Sequence, residues 1–293
     1  MPHLNLTTAN AELHRPIGIG SGDWLEHLAD GSLMVWSNGG GTQSATIAAL
    51  IDAGELPKPH ICCIVDTGYE TETTWQYWDA TVKPAMEKLG VKCYRIDASK
   101  YRTVGLHGKN GDLLLPVFTR QSGELSKMPT FCSTEWKWRV LKRWLREQGV
   151  NKCDLWMGMS WDELDRMKES DCQWITKTYP LIETRRMRRW ECAPYVINHG
   201  WPNPPRSRCY ICPNQQPAEW QELPGKEQLA AIKLDSVLRT QDPDVYLHKS
   251  GKPLGEAINE KPNDNQPHIE SCEAPSPANC IKIPCQNLYS LIS

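Results

Sequence analysis

Short unbroken apolar runs alternate along this chain with longer stretches whose apolar residues recur at helical spacing. The run LMVW at 33–36 reads as a buried strand, and a glycine cluster follows it. SATIAALIDAG then predicts a helix that Gly54 ends, and Pro57 and Pro59 mark the next turn. ICCIVDTG is a second strand, stopping at Asp66. TTWQYWDATVKPAMEKLG is a helix in which Pro84 must sit at a kink or break. VKCYRID is a third strand and CDLWMGMS a fourth. Between them TEWKWRVLKRWLREQG is amphipathic, with Trp138, Leu141 and Leu145 on one face. Strand and helix in strict alternation predict parallel βαβ units. The expected fold is therefore α/β: an open, mostly parallel twisted sheet with flanking helices.

Elsewhere the pattern is weaker. Residues 1–32 form a mixed lead-in with short helical stretches. Residues 104–131 read as loop, and 160–225 as polar and irregular. Residues 226–239 read as helix, and the chain after about 250 as extended or disordered. The domain organisation this suggests is a lead-in at 1–32 and an α/β domain at 33–160. An irregular Cys-containing region at 161–250 and a tail at 251–293 complete it. No internal repeat is visible.

Composition narrows the picture. Of 293 residues, 40% are hydrophobic and 23% charged, which suits a globular chain with a full core. No apolar run reaches the roughly 18 residues of a membrane span. The N-terminus lacks the basic and apolar regions of a secretory signal, so the expectation is a cytoplasmic protein without a membrane partner and with reduced thiols. A net charge of -2 excludes a globally basic nucleic-acid binder. Residues 120–210, however, carry 17 Lys and Arg against 11 Asp and Glu, so an anionic ligand is expected there. Of twelve Cys, Cys62, Cys63 and Cys93 sit in strand-like runs and read as core, and Cys153 and Cys172 have no motif around them. Thirteen Trp against two Phe suggests that Trp fills the core where Phe ordinarily would.

Chemistry enters at the end of the first strand. Ser37, Gly39, Gly40, Gly41, Gln43 and Ser44 lie between that strand and the first helix. Consecutive glycines let backbone N–H groups turn toward one point, and the helix N-terminus adds partial positive charge. This is an anion cradle, but neither a Walker A loop nor a G-x-G-x-x-G turn. After the second strand come Asp66, Thr67, Gly68, Tyr69 and Glu70. A carboxylate at that strand end can hold Mg2+ or a ribose. Further on, Cys209 and Cys212 form a C-x-x-C followed by Pro213. By spacing this is half of a metal or cluster site, with a thioredoxin-type redox pair as the alternative.

Together these motifs resemble the PP-loop ATP pyrophosphatase superfamily. The closer likeness is to its PAPS-reductase-like branch, related to the ATP pyrophosphatases of DNA phosphorothioation. The loop is similar to the family's S-G-G-K-D-S, with Gln43 replacing the acidic residue and no lysine. V-D-T-G-Y-E resembles its D-T-G-x-E motif. Cys132 with Lys137 resembles C-T-x-x-x-K, in which the lysine faces a phosphate. Gly158 to Arg166, with Asp162 and Glu163, resembles its G-M-S-x-D-E-x-x-R segment. Arg185, Arg186, Arg188, Arg189 and Cys192 resemble its substrate segment. The likeness spans about 33–220 and implies an adenine nucleotide alpha hydrolase-like fold, with nucleotide bound by 33–160 and substrate and cluster by 161–250. It implies ATP and Mg2+, with Asp66, Lys137, Asp162, Glu163 and Arg189 as catalytic residues. It also implies four thiolates, Cys132, Cys192, Cys209 and Cys212, around a 4Fe–4S cluster or, alternatively, Zn2+. His199 or a tail thiol (Cys272, Cys280, Cys285) stands as an alternative to Cys192, and three ligands would leave one iron open for sulfide. The implied reaction is adenylation of an acceptor with release of pyrophosphate, for sulfur transfer to nucleic acid, with a sulfur-donor protein as partner. Two alternatives remain. One is a PAPS or APS reductase, whose C-terminal E-C-G-x-H motif this tail lacks. The other is a non-catalytic nucleotide-binding zinc protein.

Overall fold

The computed structural model describes residues 32–120 and 123–260, all within one compact unit. The lead-in at 1–31, and the tail from 261 with Cys272, Cys280 and Cys285, lie outside the described residues.

Five parallel strands form the main sheet: β1 (Leu33–Asn38), β2 (Ile61–Asp66), β3 (Lys92–Asp97), β6 (Cys153–Met157) and β7 (Ile175–Thr178), in the order β3-β2-β1-β6-β7. The expected α/β architecture is what the chain adopts. Two of the three inner strands, β1 and β2, are buried on both faces, which is why they read as continuous apolar runs rather than alternating ones. Trp36 and Met34 point into one layer with Ile47, Leu50, Met86 and Leu181; Val35 and Cys63 point into the other with Val140, Leu141, Leu145 and Leu155. Helix α1 (Thr42–Asp52) lies under the first layer, and α4 (Arg139–Glu147) under the second.

Between β2 and β3 the expected single helix is three pieces: α2 (Glu72–Tyr77), a wide π-turn at Trp78–Val82, and α3 (Lys83–Lys88). The π-turn lets the chain accept Pro84 at the start of α3, where its missing N–H costs least. A second π-turn, Thr134–Trp138, precedes α4. The stretch expected to be irregular, 160–225, contains β7, α5 (Pro180–Glu183), α6 (Arg189–Asn198) and α7 (Pro217–Gln221). Strand β7 carries no clear pattern because ITKT is short and largely polar, as suits a strand at the sheet's edge.

A smaller antiparallel sheet joins β4 (Phe118–Thr119), β5 (Ser126–Lys127) and β8 (Val245–Tyr246). With α8 (Gly225–Gln241) and α9 (Leu254–Ala257) it surrounds a third apolar cluster that includes Leu115, Val117, Trp136, Trp220 and Leu238. Residue Asp235 of α8, fully buried, accepts from the N–H groups of Leu247 and Leu254 at 2.9 and 3.0 Å and so fastens this layer. Cys62 and Cys63 are buried and Cys93 is partly buried; of the tryptophans, Trp36, Trp78, Trp136, Trp144, Trp156 and Trp220 are buried. Among the described residues no helix is long and apolar enough to cross a membrane.

Candidate nucleotide and thiol site

Strand order reverses between β1 and β6, and in open α/β sheets the crevice outside the carboxyl ends at such a point is where ligands bind. A cleft of about 740 Å³ opens there. Ser37, Gly39, Gly41, Gln43 and Ser44 line one wall and Met157, Gly158 and Met159 another. Glu163, Asp165, Arg166, Lys168, Lys177 and Arg189 complete its rim, and Lys137 reaches it from the second π-turn.

The loop after β1 holds its shape through its own side chains. Gly39 N–H donates to Ser44 Oγ at 2.8 Å and Gly40 N–H to Asn38 Oδ1 at 2.6 Å. Gly40 has φ +73°, a conformation that L side chains rarely adopt. Two loop amides are thus used internally, and the free donors are those of the first turn of α1, whose N–H groups have no intrahelical partner. The segment 204–208 lies against the loop: Ser207 Oγ donates to Gly39 O, and Thr42 Oγ1 to Pro205 O at 3.3 Å. A Cβ on Gly41 would stand 2.5 Å from the Ser207 Cβ and 2.6 Å from its nitrogen, so only glycine fits.

On the opposite wall, Gln43 Nε2 donates to Glu163 Oε2 at 3.0 Å, and Arg166 pairs with Glu163 Oε1. The neutral amide of Gln43 suits this contact, because a carboxylate there would face Glu163. Asp162 accepts from the Arg189 N–H and so joins the 3-10 turn Trp161–Arg166 to the start of α6. Arg186, with φ 49°, turns the chain between α5 and α6 and brings Arg189 to the rim. Asp66 does not line the cleft. Its carboxylate is clasped by Arg95 at 2.9 and 2.7 Å and accepts from Gly68 N–H at 2.8 Å, on the side of β3. Thr67 is buried and serves Glu70 rather than the cleft.

Glu70 is the residue that ties the motifs together. Its side chain is 2% exposed and accepts from Thr67 N–H and Oγ1 at 2.9 and 2.8 Å, and from Lys137 Nζ at 3.0 Å. Burial alone would raise its pKa, but Lys137 and the Thr67 hydrogen bonds outweigh that and hold it below the ordinary value. Burial opposes the charge on Lys137, yet Cys209 and Glu70 raise its pKa overall. Cys209 Sγ lies 3.8 Å from Glu70 Oε1, and Glu70 and Cys209 form an antiparallel bridge flanked by Thr71 N–H to Arg208 O (3.2 Å) and Tyr210 N–H to Tyr69 O (2.8 Å).

Cys132 and Cys212 gather at the same place. Burial raises all three thiols, Cys209 to about 12, and Lys137 acts in the other direction on each. Cys192 does not join them. Its thiol is fully buried, donates to Arg188 O at 3.4 Å and belongs to the apolar layer of Trp36 and Leu181. The expectation of Cys192 as fourth ligand therefore gives way to a packing role between α1 and α6, where Thr46 Oγ1 also donates to Cys192 O. His199 is held elsewhere too, 2.9 Å from Asp52. Among the described residues no three His, Cys, Asp or Glu side chains are arranged to hold a single metal ion. An iron–sulfur cluster takes a thiolate at each of several corners rather than at one ion, and its soft-donor chemistry fits Cys132, Cys209 and Cys212.

Several residues of this site carry no motif of their own. Arg206 and Ser207 face the cleft from a proline-rich turn, and Asp165, Lys168, Lys177 and Tyr179 reach it from segments without periodicity. Glu70 was legible only as the last letter of V-D-T-G-Y-E.

No protein-family model matches the sequence, and no curated protein sequence matches it. Among solved structures, the chain is similar to the U34-tRNA thiolase NcsA from Methanococcus maripaludis with its 4Fe–4S cluster. The identity is 14%, the match covers 86% of this chain and 76% of that one, and the TM-score is 0.38. A likeness of that size carries no argument about activity.

Proposed function

We propose that this chain is a PP-loop ATP pyrophosphatase that adenylates an acceptor, for sulfur transfer to nucleic acid. One observation carries the reading: Lys137 faces the cleft at the loop and, through Glu70, the Cys209 thiol, so nucleotide and sulfur chemistry share a wall.

An acceptor oxygen attacks the α-phosphorus of ATP, the bond to the α–β bridging oxygen breaks, and pyrophosphate leaves. The chain must position the phosphates and offset the charge that builds on the leaving group. The first-turn amides of α1 and its dipole hold phosphate oxygens, while Lys137 and Arg189 supply full positive charges. Glu163 and Asp165 would hold Mg2+ together with those phosphates, since Mg2+ takes few protein carboxylates and keeps substrate oxygens and waters. A sulfur nucleophile then displaces AMP from the acceptor. Bound by Cys132, Cys209 and Cys212, a 4Fe–4S cluster would supply a carrier for sulfide. Lys137 holds positive charge beside those thiols.

Nucleic acid as acceptor is supported by the cleft's rim. Trp138, which lines the cleft, carries Lys142 and Lys177 at 4.9 and 4.8 Å from its ring. Aromatic rings beside cations suit bases and phosphates.

The test is pyrophosphate release from ATP by anaerobically purified protein, with and without bulk tRNA, DNA and a sulfide source, followed by mass spectrometry of the nucleosides. Nucleic-acid-dependent pyrophosphate with a sulfur-bearing nucleoside is expected. Nucleotide binding without pyrophosphate under any condition would favour the non-catalytic alternative.

A further inference from the structure

The loop that faces the cleft contains no Lys or Arg between Ser37 and Ser44. Two of its amides are already used by Ser44 and Asn38. What remains is the α1 N-terminus, equivalent to about half a unit charge. A chain of phosphates carries several full charges, so a cation must come from elsewhere.

The segment 204–208 brings one. It touches the loop at three places: Pro205 O, Ser207 Oγ and the backbone of Ser207 against Gly41. Arg206, between the first two, lines the same cleft. Its side chain is 46% exposed and pairs with Glu219. Glu219 also takes Arg208 at 3.1 Å, so its charge stays partnered if Arg206 turns away. Of the other cations lining the cleft, Lys137 is bound to Glu70 and Arg166 to Glu163.

We infer that Arg206 is a phosphate-binding residue of the cleft, supplied by the 204–208 segment in place of a cation within the loop. This rests on the reading of the cleft as a nucleotide site. Guanidinium is suited to the task, because its fork of donors matches two phosphate oxygens at once. The same segment runs on to Cys209, three residues later, and is fixed beside Glu70 by the Thr71–Arg208 hydrogen bond. Phosphate drawn to Arg206 thus acts on the chain that carries the C-x-x-C pair.

The experiment is calorimetric titration of the full chain with ATP, inorganic pyrophosphate and AMP. It uses the wild type, Arg206→Met, Arg206→Lys and Glu219→Gln, each checked for fold by circular dichroism. Arg206→Met is expected to weaken ATP and pyrophosphate by roughly tenfold or more, as loss of a charge-assisted bidentate contact does, and AMP far less. Arg206→Lys should recover part of the loss, and Glu219→Gln should bind ATP at least as tightly as the wild type. Unchanged ATP affinity in Arg206→Met, or equal loss for ATP and AMP, overturns the inference and leaves the nucleotide reading standing. Should Arg206→Met not fold, ATP affinity lowered by Glu219→Gln overturns it instead. A wild type that binds neither ATP nor pyrophosphate overturns the nucleotide reading and the inference with it.

Discussion

Glu70 shows how a single buried side chain can organise this site. Its carboxylate has four partners from three segments: Thr67 twice, Lys137 and Cys209. Glu70→Ala strands the Thr67 donors and Lys137 beside a void. It should cost about 2 kcal/mol, short of the larger penalty for breaking a fully buried pair because Lys137 is 38% exposed. Glu70→Gln should cost less. The sign of the acid dependence follows from the lowered pKa. Stabilisation is fully present above the unfolded value of about 4.3 and is lost as pH falls through the folded one. Urea midpoints at pH 7 and pH 3 should therefore differ less in Glu70→Gln than in the wild type. Gly41→Ala belongs to the same scale. The new Cβ meets Ser207 backbone, so the 204–208 segment must move, and a stability loss of about 1–3 kcal/mol should accompany weaker ATP binding. Loop glycines and the C-x-x-C pair were legible because they are local signals. The contacts of Glu70 with Lys137 and Cys209, of Gly41 with Ser207 and of Gln43 with Glu163 were not, since each spans more than 60 residues of sequence.

Elements with a single strong period were legible as well. Strands β1, β2, β3 and β6 and helices α1, α4 and α8 fall where apolar runs and helical spacing put them. What escaped was set by tertiary contact: β7 pairs with β6 despite a largely polar sequence, and β4 and β5 are two residues each. Cys192 belongs to this class. The likeness of the arginine segment to the family's implies Cys192 as a ligand, yet α6 turns the thiol inward onto the sheet layer of Trp36. Cys192→Ala should therefore keep the iron and acid-labile sulfide of the anaerobically purified protein, while losing about 1 kcal/mol of stability. Cys132→Ala, Cys209→Ala and Cys212→Ala should each lose the iron. Iron retained in Cys209→Ala, or lost in a folded Cys192→Ala, would contradict the three-thiolate set.

At the scale of the whole molecule, the sheet's switch point sets where chemistry can occur. β1 delivers the anion loop, β6 the Gly158 turn and the 3-10 segment with Glu163, and the α4 approach Lys137. The 204–208 segment then closes the wall between the loop and the thiols. In the proposed function those cations meet the α- and β-phosphates of ATP, and the bond cleaved lies between those two. The direct measurement is product identity from ATP labelled separately at the α- and γ-phosphorus, with Mg2+, a nucleic-acid acceptor and Lys137→Ala as control. The expected result is label partitioned into AMP, or an adenylated acceptor, and pyrophosphate, with the rate lowered at least tenfold in Lys137→Ala. Label appearing as ADP and inorganic phosphate, or the same rate in Lys137→Ala, would contradict it.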